Sequence, residues 1–379
     1  MSVEVFPRPT KPGIMAALRR NQSADGRSRT VDEVTVMSVP PNAVPPNAQM
    51  SFLLTSAWTT QAISDVTRLG VPETLADGPL PLPEIAARVG AHPPTLNRVL
   101  RALTELGLFT SQDGGYALTP LGATLVPGTP GSLASMAVML GSSWQSAARE
   151  GLYESILTGS PASLRLWEGG FFGYMGRHPE DAAVFNQAMI EISASSTAAV
   201  AAGYDFGRFT TLVDVGGGSG YLIGAILADR PALRGVLFDL PDVVAGVGDI
   251  LDRLGVADRC DRVGGNFFDS VPDGADGYLI SNVLHDWDDD QALVILRNCA
   301  KAMGSGSTLL IAEWVLPDGS EPAPVSNVFD LEMLMVTDGG RQRSASEFAE
   351  LLGQVGLRLV SRTQISPQIP TLLEVVPAE

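Results

Sequence analysis

Cysteine occurs only twice in the 379 residues, as Cys260 and Cys299, too few for a disulfide framework or a cysteine-built metal site. No stretch reaches the roughly 20 uninterrupted apolar residues that a membrane-spanning helix requires, which argues against an integral membrane protein. The first residues have neither the cationic cluster nor the apolar run of a signal peptide, so a cytoplasmic protein is expected. Positive charge is also scarce: 25 Lys and Arg stand against 42 Asp and Glu, a formal net charge of -17. That field repels a phosphate backbone, which argues against a nucleic-acid partner and favours a cationic or neutral ligand. Histidine occurs three times, so imidazole chemistry is confined to His92, His178 and His285.

What is present reads as a folded chain. Hydrophobic residues make up 45% and charged residues 18% of the sequence, too apolar for disorder, and the length predicts two domains. Residues 1–46 carry scattered prolines and little periodicity and read as a mobile extension. From Ser51 to Leu69 apolar residues recur at helical spacing on a segment poor in charge, which suggests burial against a partner subunit. Residues 82–122 give helix, turn, helix and hairpin, with the turn at His92-Pro93-Pro94 and the hairpin turn at Asp113 to Gly115. That is a winged-helix pattern, within a domain assigned to 47–130. Residues 131–203 read as a helical region contributing to the active site, with breaks at Gly159 to Pro161 and around Gly173 to Pro179. From 204 to 379 short apolar runs alternate with amphipathic stretches, which predicts an α/β domain with a doubly wound, mostly parallel sheet.

The segment LVDVGGGSGYLIGAIL places Gly216, Gly217, Gly218 and Gly220 between a strand and a helix, where missing side chains let a ligand reach the backbone. Tyr221 stands where a dinucleotide fingerprint has its third glycine, which weakens a nicotinamide reading. Asp214 at the strand end suits a ligand without phosphates. Adenosylmethionine is such a ligand: its sulfonium and amino group favour carboxylates, and its ribose diol needs a bidentate acceptor, a role open to Asp239 in GVLFDLP.

The order of DVGGGSG, FDLP, NFFD, NVLHDWDDDQ and AEWVLP resembles plant-type small-molecule O-methyltransferases and their bacterial polyketide-tailoring relatives. The resemblance runs through nearly everything after residue 50. It implies a Rossmann-like class I methyltransferase domain with a seven-stranded sheet, an amino-terminal winged-helix dimerisation domain, a homodimer, S-adenosyl-L-methionine as cofactor, and an aromatic or polyketide acceptor. Carried over by position, Gly216 and Gly218 line the methionine portion, Asp239 with Leu240 beside it holds the ribose, and Asn266 with Phe267 flanks the adenine. Met189 and Ser193, in FNQAMIEIS, close over the cofactor. Ser281 offers its backbone near the amino end, Trp287 packs close by, and Asn327 and Met333 belong to the acceptor pocket.

This sequence departs from the resemblance at two positions. Asn266 replaces the usual aspartate, although an amide oxygen still accepts a hydrogen bond from the adenine amine. Gln342, in GGRQRS, replaces a glutamate that helps position the catalytic histidine.

His285 follows the strand GYLISNVL, at the sheet edge where open α/β folds bind ligands. With an ordinary pKa of about 6.5 it is expected to be neutral and able to take a hydroxyl proton as the methyl bond forms. His92 and His178 each precede proline and read as structural. Glu313, at the end of the next strand, is placed to fix the imidazole tautomer, and Gln342 to hold the ring without adding charge. The acids Asp286, Asp288, Asp289 and Asp290 read as a helix start rather than a metal site.

Other readings are a family-like N- or C-methyltransferase, a protein retaining the cofactor without methylating, and a winged-helix DNA-binding regulator. The last is disfavoured because Arg88, Arg98 and Arg101 are matched by Glu84, Glu105 and Asp113, leaving no positive field for phosphates.

Overall fold

The computed structural model describes residues 45–112, 114–366 and 369–378. The extension expected over 1–46 lies, up to residue 44, outside the described residues. Two compact units divide the chain between Ser51 and Phe52. Of the first only residues 45–51 are described, and they open the helix Pro46–Arg68.

The second unit contains the rest of that helix and then the expected winged helix. Helix Leu82–Arg88 is followed by helix Pro93–Glu105, whose entry is set by two prolines in its first turn, where their missing N–H groups cost nothing. Leu96, Leu100 and Leu103 recur at spacings of four and three and are the buried residues of that helix, packing with Ile85, Phe109 and Tyr116. Gly107, at φ 80°, turns the chain out of the helix into a hairpin of β2 (Phe109–Gln112) and β3 (Gly115–Leu118), with β1 (Leu80–Pro81) on the far side of β3.

Helices Ser143–Thr158, Ala162–Leu166, Gly170–Arg177 and Pro179–Gly203 follow. Gly159, left-handed at φ 72°, ends the first of them where the sequence predicted a break. Trp144, Trp167 and Phe171 meet with ring centroids 5.6–6.4 Å apart and form the centre of an apolar cluster with Met139, Met175 and Val336.

The remainder is a seven-stranded sheet in the order β6-β5-β4-β7-β8-β10-β9. Its strands are β4 (Thr211–Val215), β5 (Arg234–Asp239), β6 (Cys260–Gly264), β7 (Gly277–Ser281), β8 (Thr308–Glu313), β9 (Leu357–Thr363) and β10 (Thr371–Pro377). The five strands from β6 to β8 run parallel, and β10 lies antiparallel to both β8 and β9. Alternation sorts the core onto two faces. Val213, Val215, Ile280 and Ile311 pack with Ile295 and Leu296 on one side, whereas Leu212, Leu237, Leu279 and Leu310 pack with Ile223 and Ile226 on the other. The strand order reverses between β4 and β7: successive strands move outward from β4 to β6, and β7 then returns to the opposite side. The crevice at the carboxyl ends of these strands is where an open α/β sheet takes a ligand.

Candidate active site

Three of the predicted segments leave the sheet at this reversal. After β4 the chain turns through Gly216, Gly218 and Gly220, with φ values of 72°, 54° and 74° that side chains rarely adopt. At Gly217 the requirement is space, because a Cβ there would stand 2.3 Å from Leu237 and 2.7 Å from the Asp214 carboxylate. A Cβ on Gly218 would meet nothing within 4 Å, so this part of the loop faces open room. Asp239, at the end of β5, accepts the Gly218 N–H on Oδ2 at 2.8 Å and the Leu240 N–H on Oδ1 at 2.7 Å. Each oxygen keeps a further lone pair, so a diol can still be bound at the carboxylate that fixes the loop. Leu240 is half exposed beside it.

Asp214 lies beneath the loop rather than in it. It is 1% exposed on the face covered by helix Tyr221–Ala228, and neither carboxylate oxygen has a hydrogen-bond partner among the described residues. Burial, and then the charge of Asp239, push its pKa up to about 7. An unpaired carboxylate held this way marks a place where a nearby positive charge would be stabilised.

On the β6 side, Asn266 uses its amide oxygen to accept the Phe268 N–H at 3.0 Å, which shapes the turn and leaves one lone pair free. Phe267 borders the glycine loop, its Cε1 standing 3.6 Å from where a Gly216 Cβ would be. Trp287 is enclosed by aromatic rings: edge-on to Phe267 and Phe268, and stacked on Phe172 at 5.9 Å. Met189 and Ser193 are one turn apart on helix Pro179–Gly203. Met189 packs in the cluster of Trp144, Phe171 and Val336, and the helix itself lies against Tyr221–Ala228.

The chain leaves β7 through Ser281 and Asn282. Asn282 is the single non-glycine residue with positive φ among the described residues, at 53°, and its buried amide oxygen has no partner there. This kink sends Val283, Leu284 and His285 back across the end of β8, where Glu313 is 1% exposed. Glu313 accepts the Val283 and Leu284 N–H groups on Oε1 at 3.1 and 2.8 Å, and its Oε2 lies 2.5 Å from His285 Nδ1. A carboxylate only accepts, so Nδ1 carries the proton and Nε2 is the atom left for chemistry. Nε2 stands 3.6 Å from Asp286 Oδ1.

The expected neutral imidazole is corrected by this arrangement. Burial alone would lower the pKa of His285, but the carboxylates of Glu313, Asp286 and Glu332 outweigh it and raise the pKa to about 9. Burial likewise raises Asp286 to about 6, against the opposing pull of His285. The imidazole is therefore a proton reservoir at neutral pH, and becomes a base once a positive charge arrives nearby or the pH rises.

Gln342 does not hold the imidazole. It is 2% exposed, its backbone N–H donates to Asp330 Oδ1 at 2.7 Å, and no hydrogen bond among the described residues links its amide to His285. Two of its neighbours, Gly340 and Arg343, govern the histidine turn instead, and both escaped the sequence reading. A Cβ on Gly340 would stand 2.2 Å from the His285 carbonyl oxygen, so this segment packs directly on the turn. Arg343, 1% exposed, donates to the carbonyls of Leu284 at 2.8 Å and Trp287 at 2.7 Å, and to Asp289 Oδ1 at 2.9 Å through Nε. Asp289 is thus an ion-pair partner as well as a helix-start acid, while Asp288 does cap its helix, accepting the Gln291 N–H at 2.8 Å. No group of acids and imidazoles among the described residues is arranged to hold a metal.

Helix Pro324–Val336 brings Glu332 within electrostatic reach of His285. Met333 is partly buried, but Asn327 is exposed in the first turns, about 140° around the helix from Glu332. Asn327, expected in the acceptor pocket, lies exposed near the start of this helix. Glu332 is the acid that sequence reasoning missed: it accepts the Gln145 Nε2 hydrogen bond at 3.1 Å and contributes to the charge around His285.

A family model of the O-methyltransferase domain matches residues 152–358, and one of the O-methyltransferase dimerisation domain matches residues 52–128. The chain belongs to the O-methyltransferase family. Within it, a phenazine O-methyltransferase from Lysobacter antibioticus is 41% identical over 84% of this chain and 92% of its own length. A mitomycin biosynthesis 6-O-methyltransferase from Streptomyces lavendulae is 41% identical over 81% and 88%. The solved structure of the neocarzinostatin-pathway O-methyltransferase NcsB1, in complex with S-adenosylmethionine and 2-hydroxy-5-methyl naphthoic acid, matches with a TM-score of 0.72 at 34% identity, covering 84% of this chain and 96% of that one. This O-methyltransferase is accordingly an adenosylmethionine-dependent enzyme with a class I catalytic fold and a dimerisation domain. Among its described residues no helix is long and apolar enough to cross a membrane.

Proposed function

We propose that this O-methyltransferase methylates a hydroxyl of an aromatic or polyketide-type natural product, with His285 as general base. The observation that carries the reading is the Glu313–His285 contact, which occupies Nδ1 and leaves Nε2, 3.6 Å from Asp286 Oδ1, as the nitrogen available for proton transfer. Phenazine, mitomycin and naphthoate substrates in the names of its relatives support an aromatic acceptor.

The residues present fit adenosylmethionine. Asp239 would hold the ribose, Asn266 and Phe267 would flank the adenine, and the backbone of Gly216, Gly218 and Ser281 would border the methionine portion. Asp214 beneath the loop, with no hydrogen-bond partner of its own, suits a cationic ligand above it. Met189, Ser193, Leu240 and Trp287 would close the site, and Met333 would face the acceptor. When bound, the cofactor supplies an electrophilic methyl group on a sulfonium. The protein's own contribution is to orient the acceptor hydroxyl against it and to receive the hydroxyl proton on Nε2, while Glu313 stabilises the resulting imidazolium.

Exposed Phe52, Leu53, Leu54 and Trp58 on the helix Pro46–Arg68, at 62–74% exposure, support a homodimer built through the dimerisation domain. A cytoplasmic location completes the reading. The test is methylation of hydroxyarenes by the wild type and by His285→Ala, read as adenosylhomocysteine release. A fall of about 10²-fold or more is expected, and an unimpaired variant would point to an amine or carbon acceptor that needs no base.

A further inference from the structure

Near His285 lie polar groups that proton transfer leaves unused. Glu332 presents one carboxylate oxygen to Gln145, which is 2% exposed, and has no partner for the other among the described residues. Gln145 follows Trp144 at the start of helix Ser143–Thr158, anchored there by the Ser142 side chain, which accepts the Gln145 N–H. The indole N–H of Trp144 is itself buried without an acceptor. Glu332 shares a helix face with Phe329 and Val336, of which Val336 packs in the Trp144 cluster. The carboxylate is therefore held by a buried amide, beside aromatic rings, within electrostatic reach of the proposed base.

A half-buried carboxylate with one free oxygen costs desolvation energy unless a donor or cation completes it. Gln145 supplies one hydrogen bond and no charge. Around His285 the other ionisable groups, Asp286 and Glu313, are also acids, so an anionic acceptor would meet only repulsion once the imidazole is neutral. The chain's overall charge of -17 acts in the same direction.

We propose that Glu332, positioned by Gln145, recognises a basic nitrogen on the aromatic acceptor, so that the substrate class is a hydroxylated arene bearing an amino substituent. The assignment rests on the hydroxyl-methylation reading given above. Glu332 is then a specificity residue: it binds the acceptor and takes no part in proton transfer.

The test uses three naphthols of one shape that carry an aminomethyl, a hydroxymethyl or a carboxylate substituent. Their binding is measured by calorimetry to the full-length protein saturated with adenosylhomocysteine, so no turnover is needed. Binding tighter by about tenfold or more for the aminomethyl member than for the carboxylate member is expected, and Glu332→Gln should reduce that ratio to near one while leaving the hydroxymethyl member within about twofold. Equal or tighter binding of the carboxylate by the wild type, or no binding of the aminomethyl member, overturns the proposal whether or not the variant folds. A ratio unchanged in a folded Glu332→Gln protein assigns the selection elsewhere and also overturns it. Failure of adenosylhomocysteine itself to bind would instead strike the methyltransferase reading, which keeps the two failures apart.

Discussion

His285 and Glu313 are joined by a 2.5 Å contact between Nδ1 and Oε2, and the other oxygen of that carboxylate holds the two backbone N–H groups that precede the histidine. One acid thus fixes the turn, the tautomer and the charge of the ring. The cost is a pKa raised to about 9, so the free enzyme carries an imidazolium at neutral pH. The rate of hydroxyl methylation, as kcat/KM for the acceptor at saturating cofactor, should rise with pH along a limb set by His285. A bound sulfonium lowers the pKa of that limb from its value in the free protein. Replacing Glu313 by Gln removes the main charge holding the proton, so the limb should move to lower pH while the plateau falls by about 10²-fold. A limb left in place in this variant would show that another group titrates. The sign for stability is opposite. The ion pair contributes fully below the unfolded-state value of about 6.5 and is lost as pH rises through about 9.

Arg343 closes the same turn from the other side. Its guanidinium satisfies two buried carbonyls, and with Arg341 it holds Asp289 below the usual carboxylate range despite the opposing effect of burial. Arg343→Met should lower unfolding stability on the order of 3 kcal/mol, because two carbonyls lose their donor and Asp289 is left with Arg341 alone. Arg343→Lys keeps the charge but not the planar fork, and should recover only part of the loss. If Arg343 acts through His285, the lysine variant will also shift the pH limb of kcat/KM. A stability loss with an unmoved limb would leave it a purely structural clamp.

Asp239 anchors the Gly218 N–H, and in the proposed cofactor site its remaining lone pairs would face the ribose. Asp239→Asn retains the acceptor oxygen but loses the charge and one acceptor, whereas Asp239→Ala loses both. Calorimetric titration with adenosylmethionine should show affinity falling by about tenfold in the first and further in the second, about 1.4 kcal/mol for each tenfold step. Equal affinities for all three proteins would remove Asp239 from the site.

Much of this was legible in the sequence because it is encoded locally. The glycine loop, Asp239 and the histidine motif each follow a strand of strongly apolar pattern, and a parallel sheet brings consecutive strand ends to one edge. The fold class followed from the same alternation. What stayed hidden depends on contacts distant in the chain. Glu332 meets Gln145 across 187 positions and Arg343 meets Leu284 across 59, and neither pair leaves a periodic trace. In GGRQRS Gln342 departs from the motif, yet the neighbouring Arg343 is the side chain that reaches the turn. The charge on His285 is hidden for a related reason: the ordinary pKa of an imidazole says nothing of the buried Glu313 and Glu332 carboxylates, which converge from other segments on a ring already next to Asp286.

Asp214 and His285 give the cofactor step a measurable proton balance. Asp214, pushed up to about 7 by burial and by Asp239, holds its proton in part near neutral pH, and His285, raised to about 9 by its carboxylates against burial, holds its proton more fully. A fixed positive charge placed nearby favours ionised Asp214 and neutral imidazole, so each group tends to release its proton. Adenosylmethionine carries that charge on its sulfonium and adenosylhomocysteine does not. Titrations of both ligands at pH 7.5, as an assay choice of about half a unit above Asp214, should be repeated in buffers of different ionisation enthalpy. The slope of apparent binding enthalpy against buffer ionisation enthalpy is negative when protons are released, and it should be more negative for adenosylmethionine. Asp214→Asn should remove part of the difference and His285→Ala another part. Identical slopes for the two ligands would mean that the sulfonium does not act on either group, and that the base must be prepared for proton transfer by the acceptor alone.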